Sequence, residues 1–357
     1  MSKPDRLTLV AGGAGFIGSH LCKMLLDAGE HVVCVDNLQT SRPSNLAALK
    51  AYPNFEFIQA DITAPWPTAL ASRAKHFHRI YNLACAASPP AYQADPEHTM
   101  LTNVVGTSQL LRLAEASGAR FLLTSTSEVY GDPEAHPQQE DYRGNVSCTG
   151  PRACYDEGKR AAEALTFDFA RTGRADVRVA RIFNTYGPNM DPCDGRVVSN
   201  VICQALSGEP ITIYGDGSQT RSFCYVTDMA EALRRLMEVE GIGLEPVNLG
   251  NPRELMVREL ADLVIDMLGR PSEMRNAPLP EDDPRRRKPN IDRAKALLDW
   301  EPTTRLEDGI RDTMAWFAKE LGEDVPATAT IDTLDRHWRL RSPVAANGSV
   351  LREAAAG

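Results

Sequence analysis

Short apolar runs alternate with longer amphipathic stretches through the first half of this chain. That alternation restricts it to a parallel sheet covered by helices, because strands running the same way need a helical crossover between them. The runs fall at residues 7–11, 31–36, 55–59, 79–83, 120–125 and 177–181. Between them, residues 19–28, 100–117 and 155–171 repeat apolar positions every three or four residues, the period of a helix with one buried face. The spacing predicts a doubly wound α/β domain. After Asn184 turns break the pattern, at Tyr186-Gly-Pro188, Cys193-Asp-Gly195, Gly208-Glu-Pro210 and Tyr214-Gly-Asp-Gly217. They predict a smaller C-terminal α/β domain, with helices over 228–239, 257–268 and 292–298 and a loop over 271–289. The expected division is 1–185 for the first domain, with 220–250 returning to it, 186–320 for the second, and a mobile tail over 325–357.

At 357 residues there is enough chain for both domains. Hydrophobic residues at 43% and charged residues at 24% exclude disordered and collagen-like classes. No apolar run approaches the roughly 20 residues of a membrane-spanning helix. The stretch 1–6 is polar and has no apolar signal core, so the expectation is a cytoplasmic protein with no membrane partner. A net charge of −9 argues against nucleic acid as a partner. The eight cysteines include no Cys-x-x-Cys pair and the seven histidines are scattered, so no metal site is expected. Cys22 and Cys34 read as small core residues, and His76-x-His78 as surface.

Gly12-Gly-Ala-Gly15-Phe16-Ile17-Gly18 joins the first strand to the first helix. Glycines there permit a tight turn and a close approach to a pyrophosphate, whose charge the helix N-terminus stabilises. Alone, the spacing matches many ordinary turns. Its context is stronger: the second strand ends in Asp36, 18 residues after Gly18, where a carboxylate accepts hydrogen bonds from ribose hydroxyls and repels a 2′-phosphate. The reading is NAD rather than NADP, with Asp61, after the third strand, bordering the adenine.

Tyr155 and Lys159 lie four residues apart, on one face of a helix. A surface pair is the ordinary reading of that spacing. The strand ending Thr124-Ser-Thr126-Ser127-Glu128 changes it, because ligands sit at strand C-termini in such sheets. With the phenolate stabilised by the Lys159 ammonium and a nicotinamide cation, Tyr155 becomes a base for a substrate hydroxyl. Thr126 would orient the same oxygen during hydride transfer.

These residues, with Asn82-Leu83-Ala84 and Asn103-Val-Val-Gly-Thr107, resemble the extended short-chain dehydrogenase/reductase superfamily over about 7–317. Within it the chain is similar to UDP-glucuronate decarboxylases. The strings that carry the likeness are Ala87-Ser88-Pro-Pro-Ala-Tyr92, Thr124-Ser-Thr-Ser-Glu-Val-Tyr-Gly-Asp-Pro133, Pro151-Arg-Ala-Cys-Tyr-Asp-Glu-Gly-Lys-Arg160, Arg181-Ile-Phe-Asn184-Thr-Tyr-Gly-Pro188, Asp194-Gly-Arg196-Val197-Val-Ser-Asn200 and Gln219-Thr-Arg221-Ser-Phe223. The resemblance implies a Rossmann fold, bound NAD held also by Asn37, Ile62, Leu83 and Ala84, a UDP-sugar substrate, and a homodimer built on the helices over 100–117 and 155–171. It implies oxidation at C4 of UDP-glucuronate, loss of carbon dioxide from the β-keto acid, and re-reduction to UDP-xylose. Ser127 and Glu128 would stand beside the sugar carboxylate, Glu128 as an acid/base or water-ordering group with a raised pKa. Arg287 would reach the active site, the other reading being a solvated basic loop with Arg285 and Arg286. Ser88, Tyr92, Asn184, Arg196, Val197 and Tyr214 would contact the substrate, and Arg221 its diphosphate.

The chain departs from the decarboxylase pattern at Ala86, Arg143, Ser147-Cys148-Thr149 and Asn189. A loosened entrance there would let a UDP-4-keto-pentose leave before hydride returns. A 4-epimerase or a 4,6-dehydratase is the rival within the superfamily, although a dehydratase has an aspartate where Ser127 stands. A catalytically silent NAD-binding protein is the rival from another class, against which Thr126, Tyr155 and Lys159 all speak.

Overall fold

The computed structural model describes residues 7–279 and 286–323. The expected tail over 325–357, and Arg285 of the basic loop, lie outside the described residues. The strands are β1 (Leu7–Ala11), β2 (His31–Asp36), β3 (Phe55–Gln59), β4 (Phe77–Asn82), β5 (Arg120–Thr126), β6 (Val177–Ile182), β7 (Thr185–Tyr186), β8 (Ile211–Tyr214), β9 (Thr220–Ser222), β10 (Cys224–Tyr225), β11 (Val247–Leu249), β12 (Glu254–Met256), β13 (Met274–Ala277) and β14 (Arg286–Arg287). The helices are α1 (Phe16–Asp27), α2 (Thr68–Ala71), α3 (Pro89–Ala94), α4 (Pro96–Leu101), α5 (Thr107–Ser117), α6 (Ala153–Arg171), α7 (Val197–Leu206), α8 (Val226–Glu238), α9 (Val257–Leu268), α10 (Asp292–Leu298) and α11 (Leu306–Leu321).

Seven strands form one sheet in the order β11-β6-β5-β4-β1-β2-β3. Every pairing in it is parallel, so this is the expected doubly wound sheet. Its strands are buried on both faces. Val10 packs with Leu21, Leu25, Leu233 and Ala294 from α1, α8 and α10 on one side. Leu9 and Ala11 pack with Leu110, Leu111 and Phe169 from α5 and α6 on the other. The order reverses between β1 and β4, which opens a crevice at the carboxyl ends of the strands.

The smaller unit is a core of α7, α9 and α11 around β8 and β12, with Ile202, Ile213, Leu260 and Phe317 buried at its centre. Its strands make three short sheets: β10 beside β7, β9 between β12 and β14, and β13 beside β8. Residues 220–225 belong to these small sheets, whereas α8 and β11 join the large unit.

Three expectations about local structure change. The helix expected over 100–117 begins earlier, at α4, and passes through a π turn at Thr102–Gly106 before α5. The extra residue in that turn brings Asn103 inward against Gly158 of α6, and a π turn in a helix often marks a site. The loop over 271–289 contains β13 and β14, whose residues Met274-Arg-Asn-Ala277 and Arg286-Arg287 carry no apolar alternation to announce a strand. His78, expected at the surface, is half-buried in β4 with Nδ1 2.9 Å from the Leu7 carbonyl. Among the described residues no helix is long and apolar enough to cross a membrane.

Candidate active site

The crevice at the switch point begins at the glycine turn. A Cβ on Gly12 would lie 2.7 Å from the Ala84 nitrogen, and one on Gly18 would overlap the Gly12 carbonyl oxygen. Glycine is therefore required where β1 passes into α1, and the N-terminus of α1 opens onto the cleft. Asp36 ends β2 buried: its Oδ2 accepts from the Ala14 N–H at 3.1 Å and the Ser41 hydroxyl at 3.0 Å, its Oδ1 from the Leu38 N–H at 2.8 Å. Burial still raises its pKa. Burial also works to raise the pKa of Asp61, but hydrogen bonds from Thr63, Asn37 and His98 outweigh it and hold the carboxyl well below its usual range. His98 Nε2 lies 2.8 Å from Asp61 Oδ2, a partner that no local spacing announced.

Gly12, Gly15, Phe16, Ile17, Gly18, Asp36, Asn37, Asp61, Ile62, Leu83, Ala84, Tyr155 and Lys159 all lie on the wall of this one cleft. A cradle that a single Cβ would fill, followed by a buried carboxylate at the end of the second strand, fits a dinucleotide.

At the inner end, β5 delivers Thr126, Ser127 and Glu128, all buried or nearly so, while the first turns of α6 present Tyr155 and Lys159. The Thr126 hydroxyl hydrogen-bonds the Tyr155 phenol and also accepts from the Glu128 N–H at 3.2 Å. Lys159 Nζ donates to the Thr124 carbonyl at 2.9 Å and stands 5.8 Å from the centre of the Tyr155 ring. Tyr92 of α3 stacks on that ring. The electrostatics differ from the expectation of a phenolate eased by lysine. Burial pushes the Tyr155 pKa up, Cys85, Glu128 and Asp156 add to it, and the Thr126 hydrogen bond works the other way. Burial pushes Lys159 down.

Glu128 corrects the expectation of a raised pKa. Burial would raise it, but Arg287, Arg152 and Arg221 together lower it, so the side chain is a carboxylate. Arg287 binds it as a fork, Nη1 to Oε1 at 2.8 Å and Nη2 to Oε2 at 2.9 Å, and Arg152 Nη2 reaches Oε2 at 2.7 Å. Arg287 Nη1 also donates to Asn184 Oδ1 at 3.1 Å. Arg287 is thus buried in the site rather than solvated in a loop, because β14 sets it beside Arg221 of β9. Arg152 and Asp156 were not singled out from the sequence. Asp156 lies behind Arg152, with Oδ2 3.9 Å from Nε, and burial plus the Glu128 charge push its pKa up to about 7.

The remaining substrate candidates are spread more widely. Ser88 and Arg196 line the cleft, Arg196 forked onto Asp194, and Val197 opens α7. Tyr214 is 39% exposed at the end of β8, on the small unit. Of the departures from pattern, Ala86 and Asn189 lie on the cleft wall, whereas Arg143, Ser147, Cys148 and Thr149 are exposed in the loop before α6. Among the described residues no cluster of His, Cys, Asp and Glu could hold a metal ion.

Residues 8–250 match the model of the NAD dependent epimerase/dehydratase family. UDP-glucuronic acid decarboxylase 4 of Arabidopsis thaliana is 52% identical over 302 residues, 85% of this chain, and the match spans 66% of that protein's length. UDP-glucuronic acid decarboxylase 3 of the same plant is 50% identical, over 86% of this chain and 88% of its own. Among solved structures, the UDP-glucose 4-epimerase of Thermotoga maritima with UDP-glucose is 30% identical with a TM-score of 0.80, over 88% of this chain and 99% of that one. The UDP-glucuronic acid 4-epimerase of Bacillus cereus with UDP-glucuronic acid and NAD is 28% identical with a TM-score of 0.79, over the same shares.

Proposed function

From the premise that this chain belongs to the NAD dependent epimerase/dehydratase family, we propose that it is a UDP-glucuronate decarboxylase making UDP-xylose. The observation that carries the reading is the convergence of Arg152, Arg221 and Arg287 beside Thr126 and Tyr155. Glu128, ionised, lies among them, paired with Arg152 and Arg287. Guanidinium groups gathered beside the proposed base suit the carboxylate of a uronic acid, a group that a neutral sugar lacks.

In this reading Gly12, Gly15, Gly18, Asp36 and Asn37 hold the dinucleotide, and Tyr155 and Lys159 meet its reactive end. When bound, NAD accepts hydride from C4 of the sugar, returns it later, and brings a positive charge that offsets the burial of Tyr155. Tyr155 removes the C4 hydroxyl proton while Thr126 fixes that oxygen. Oxidation leaves a ketone β to the C6 carboxylate, and the arginines hold that carboxylate until the C5–C6 bond breaks and carbon dioxide leaves. Glu128, ionised, orders the arginines. The electron pair left by the departing carbon dioxide forms an enolate with the C4 ketone, and C5 takes its proton from solvent water rather than from Glu128. Tyr155, now protonated, returns its proton to the C4 oxygen at re-reduction.

The test is incubation of the purified protein with NAD and UDP-glucuronate, following carbon dioxide and the sugar by NMR. Carbon dioxide with UDP-xylose and no lasting NADH supports the full cycle. Carbon dioxide with NADH and UDP-4-keto-pentose supports release at the altered entrance. A new uronate without carbon dioxide supports 4-epimerisation instead, the activity named for the Bacillus cereus neighbour. The reading includes a cytoplasmic location and a homodimer through α4, α5 and α6. Leu101 and Val105, 41% and 38% exposed on consecutive turns, support that dimer, and light scattering tests it.

A further inference from the structure

We infer that Arg42 is a cofactor-holding residue whose Nη1 donates to the diphosphate of the bound dinucleotide, and that Glu320 of the smaller unit positions it. The inference rests on the dinucleotide reading of the cleft and not on the sugar chemistry. Three cationic side chains line the cleft: Arg42, Lys159 and Arg196. Lys159 is held on the Thr124 carbonyl, and Arg196 is forked onto Asp194. Arg42 gives Nη2 to Glu320 Oε2 at 2.5 Å, while its Nη1 is buried and has no hydrogen-bond partner among the described residues.

Its place suits a diphosphate. The preceding residue, Ser41, donates to the ribose acid Asp36, and its Oγ lies 3.5 Å from where a Cβ on Gly15 would stand. Arg42 therefore follows the seam between the ribose carboxylate and the N-terminus of α1, where a pyrophosphate charge is stabilised. A buried guanidinium N–H without an acceptor is unfavourable, and a phosphate oxygen satisfies it with a charge-assisted bond. In a chain of net charge −9 such a local cation offsets the general repulsion of an anionic cofactor.

Glu320 is the next to last residue of α11, a helix of the other unit. One turn earlier Trp316 Nε1 donates to the Met190 carbonyl at 3.2 Å, beside Asn189 on the cleft wall. The end of α11 thus lies along the lip of the cleft, and the Arg42–Glu320 pair ties the two units together over the adenosine end. The pair fixes the guanidinium fork with Nη1 facing inward. A cofactor that must be both reduced and reoxidised within one turnover is useful only if it stays bound, and this tie serves that retention.

The full chain, stripped of nucleotide, is titrated calorimetrically with NAD and with ADP, with adenosine by competition, and with UDP as a check of the folded substrate unit. Loss of one charge-assisted bond predicts that Arg42→Ala weakens NAD and ADP by about 10- to 100-fold. Adenosine and UDP are expected to stay within about twofold, and Arg42→Lys to fall between. Glu320→Gln weakens NAD by about 3- to 5-fold and adds nothing in the Arg42→Ala background, as expected of a group acting through Arg42. Arg42→Ala binding NAD as the parent does overturns the inference, as does an equal loss for adenosine. A Glu320→Gln effect that persists without Arg42 removes the positioning role. Failure of the parent chain to bind NAD at all defeats the dinucleotide reading itself.

Discussion

Tyr92 lies flat against Tyr155, ring centroids 5.0 Å apart and planes 7° from parallel. The stack covers one face of the proposed base with a ring from the loop region after β4, and it leaves the Tyr92 hydroxyl buried without a partner among the described residues. Tyr92→Phe keeps the stack and removes an unsatisfied hydroxyl, so stability should hold or rise by about 1 kcal/mol. If that hydroxyl meets the sugar, KM rises about 5-fold while kcat stays within about twofold. Tyr92→Ala opens a cavity over Tyr155 and should cost about 3 kcal/mol. Urea unfolding and steady-state kinetics measure both, and an unchanged KM in Tyr92→Phe removes the hydroxyl from substrate binding.

Glu128 pairs with two buried arginines, Arg152 and Arg287, and Glu128→Gln removes that shared partner. Removing one member of a buried ionic group costs about 3 kcal/mol. The further change Arg287→Gln in the Glu128→Gln background should recover part of that loss, because it removes the Arg287 charge that Glu128 no longer offsets. Additive losses in the two single variants and the double would mean that the three side chains do not form one unit.

Asp156 makes the fold sensitive to pH. Its folded pKa of about 7 stands above the ordinary 3.8, so the folded chain binds the proton more tightly than the unfolded one. The resulting stabilisation is fully present below about pH 4 and is lost as pH rises through 7. Asp156→Asn should therefore lose about 3 kcal/mol less than the parent between pH 4.5 and 7.5. Parallel stability curves for the two proteins would contradict this assignment.

Gly18→Ala places a methyl group into the Gly12 carbonyl, a backbone atom that cannot step aside without moving the turn. NAD affinity should fall by about 100-fold or more, since the turn and the start of α1 move together. UDP binding, proposed for the other unit, should stay within about twofold. A Gly18→Ala protein that binds NAD normally would show that the cradle does not touch the cofactor.

Six of the seven strands of the large sheet were legible in the sequence as apolar runs bounded by turns, with observed limits within two residues of those expected; β11, three residues long, was not among them. The small strands β13 and β14 were not legible, because strands of four and two residues without apolar alternation carry no periodicity. The cleft wall proposed for the cofactor was legible because its residues sit at fixed places on a repeating topology. The ionic group was only half legible: Glu128 and Arg287 are 159 residues apart, and the sign of the Glu128 shift depends on how many arginines the fold gathers around it. Arg152 lies within a string that carried the family likeness, yet its spacing of 24 residues from Glu128 says nothing of contact. Arg42 and Glu320 meet only because α11 folds back onto the lip of the cleft.

The large sheet is completed by β11, whose Val247, Asn248 and Leu249 pair with Ala180, Arg181 and Ile182 of β6. The smaller unit's elements from β7 to β10 are made before that strand. During synthesis β6 therefore emerges as an uncovered apolar edge and stays so for more than sixty residues, an interval read from the gap between Ile182 and Val247. Open edges of this kind pair with other chains. A ribosome pausing in that interval would hold the nascent chain where it is most open to aggregation, and a fragment ending before residue 247 would keep that edge for good.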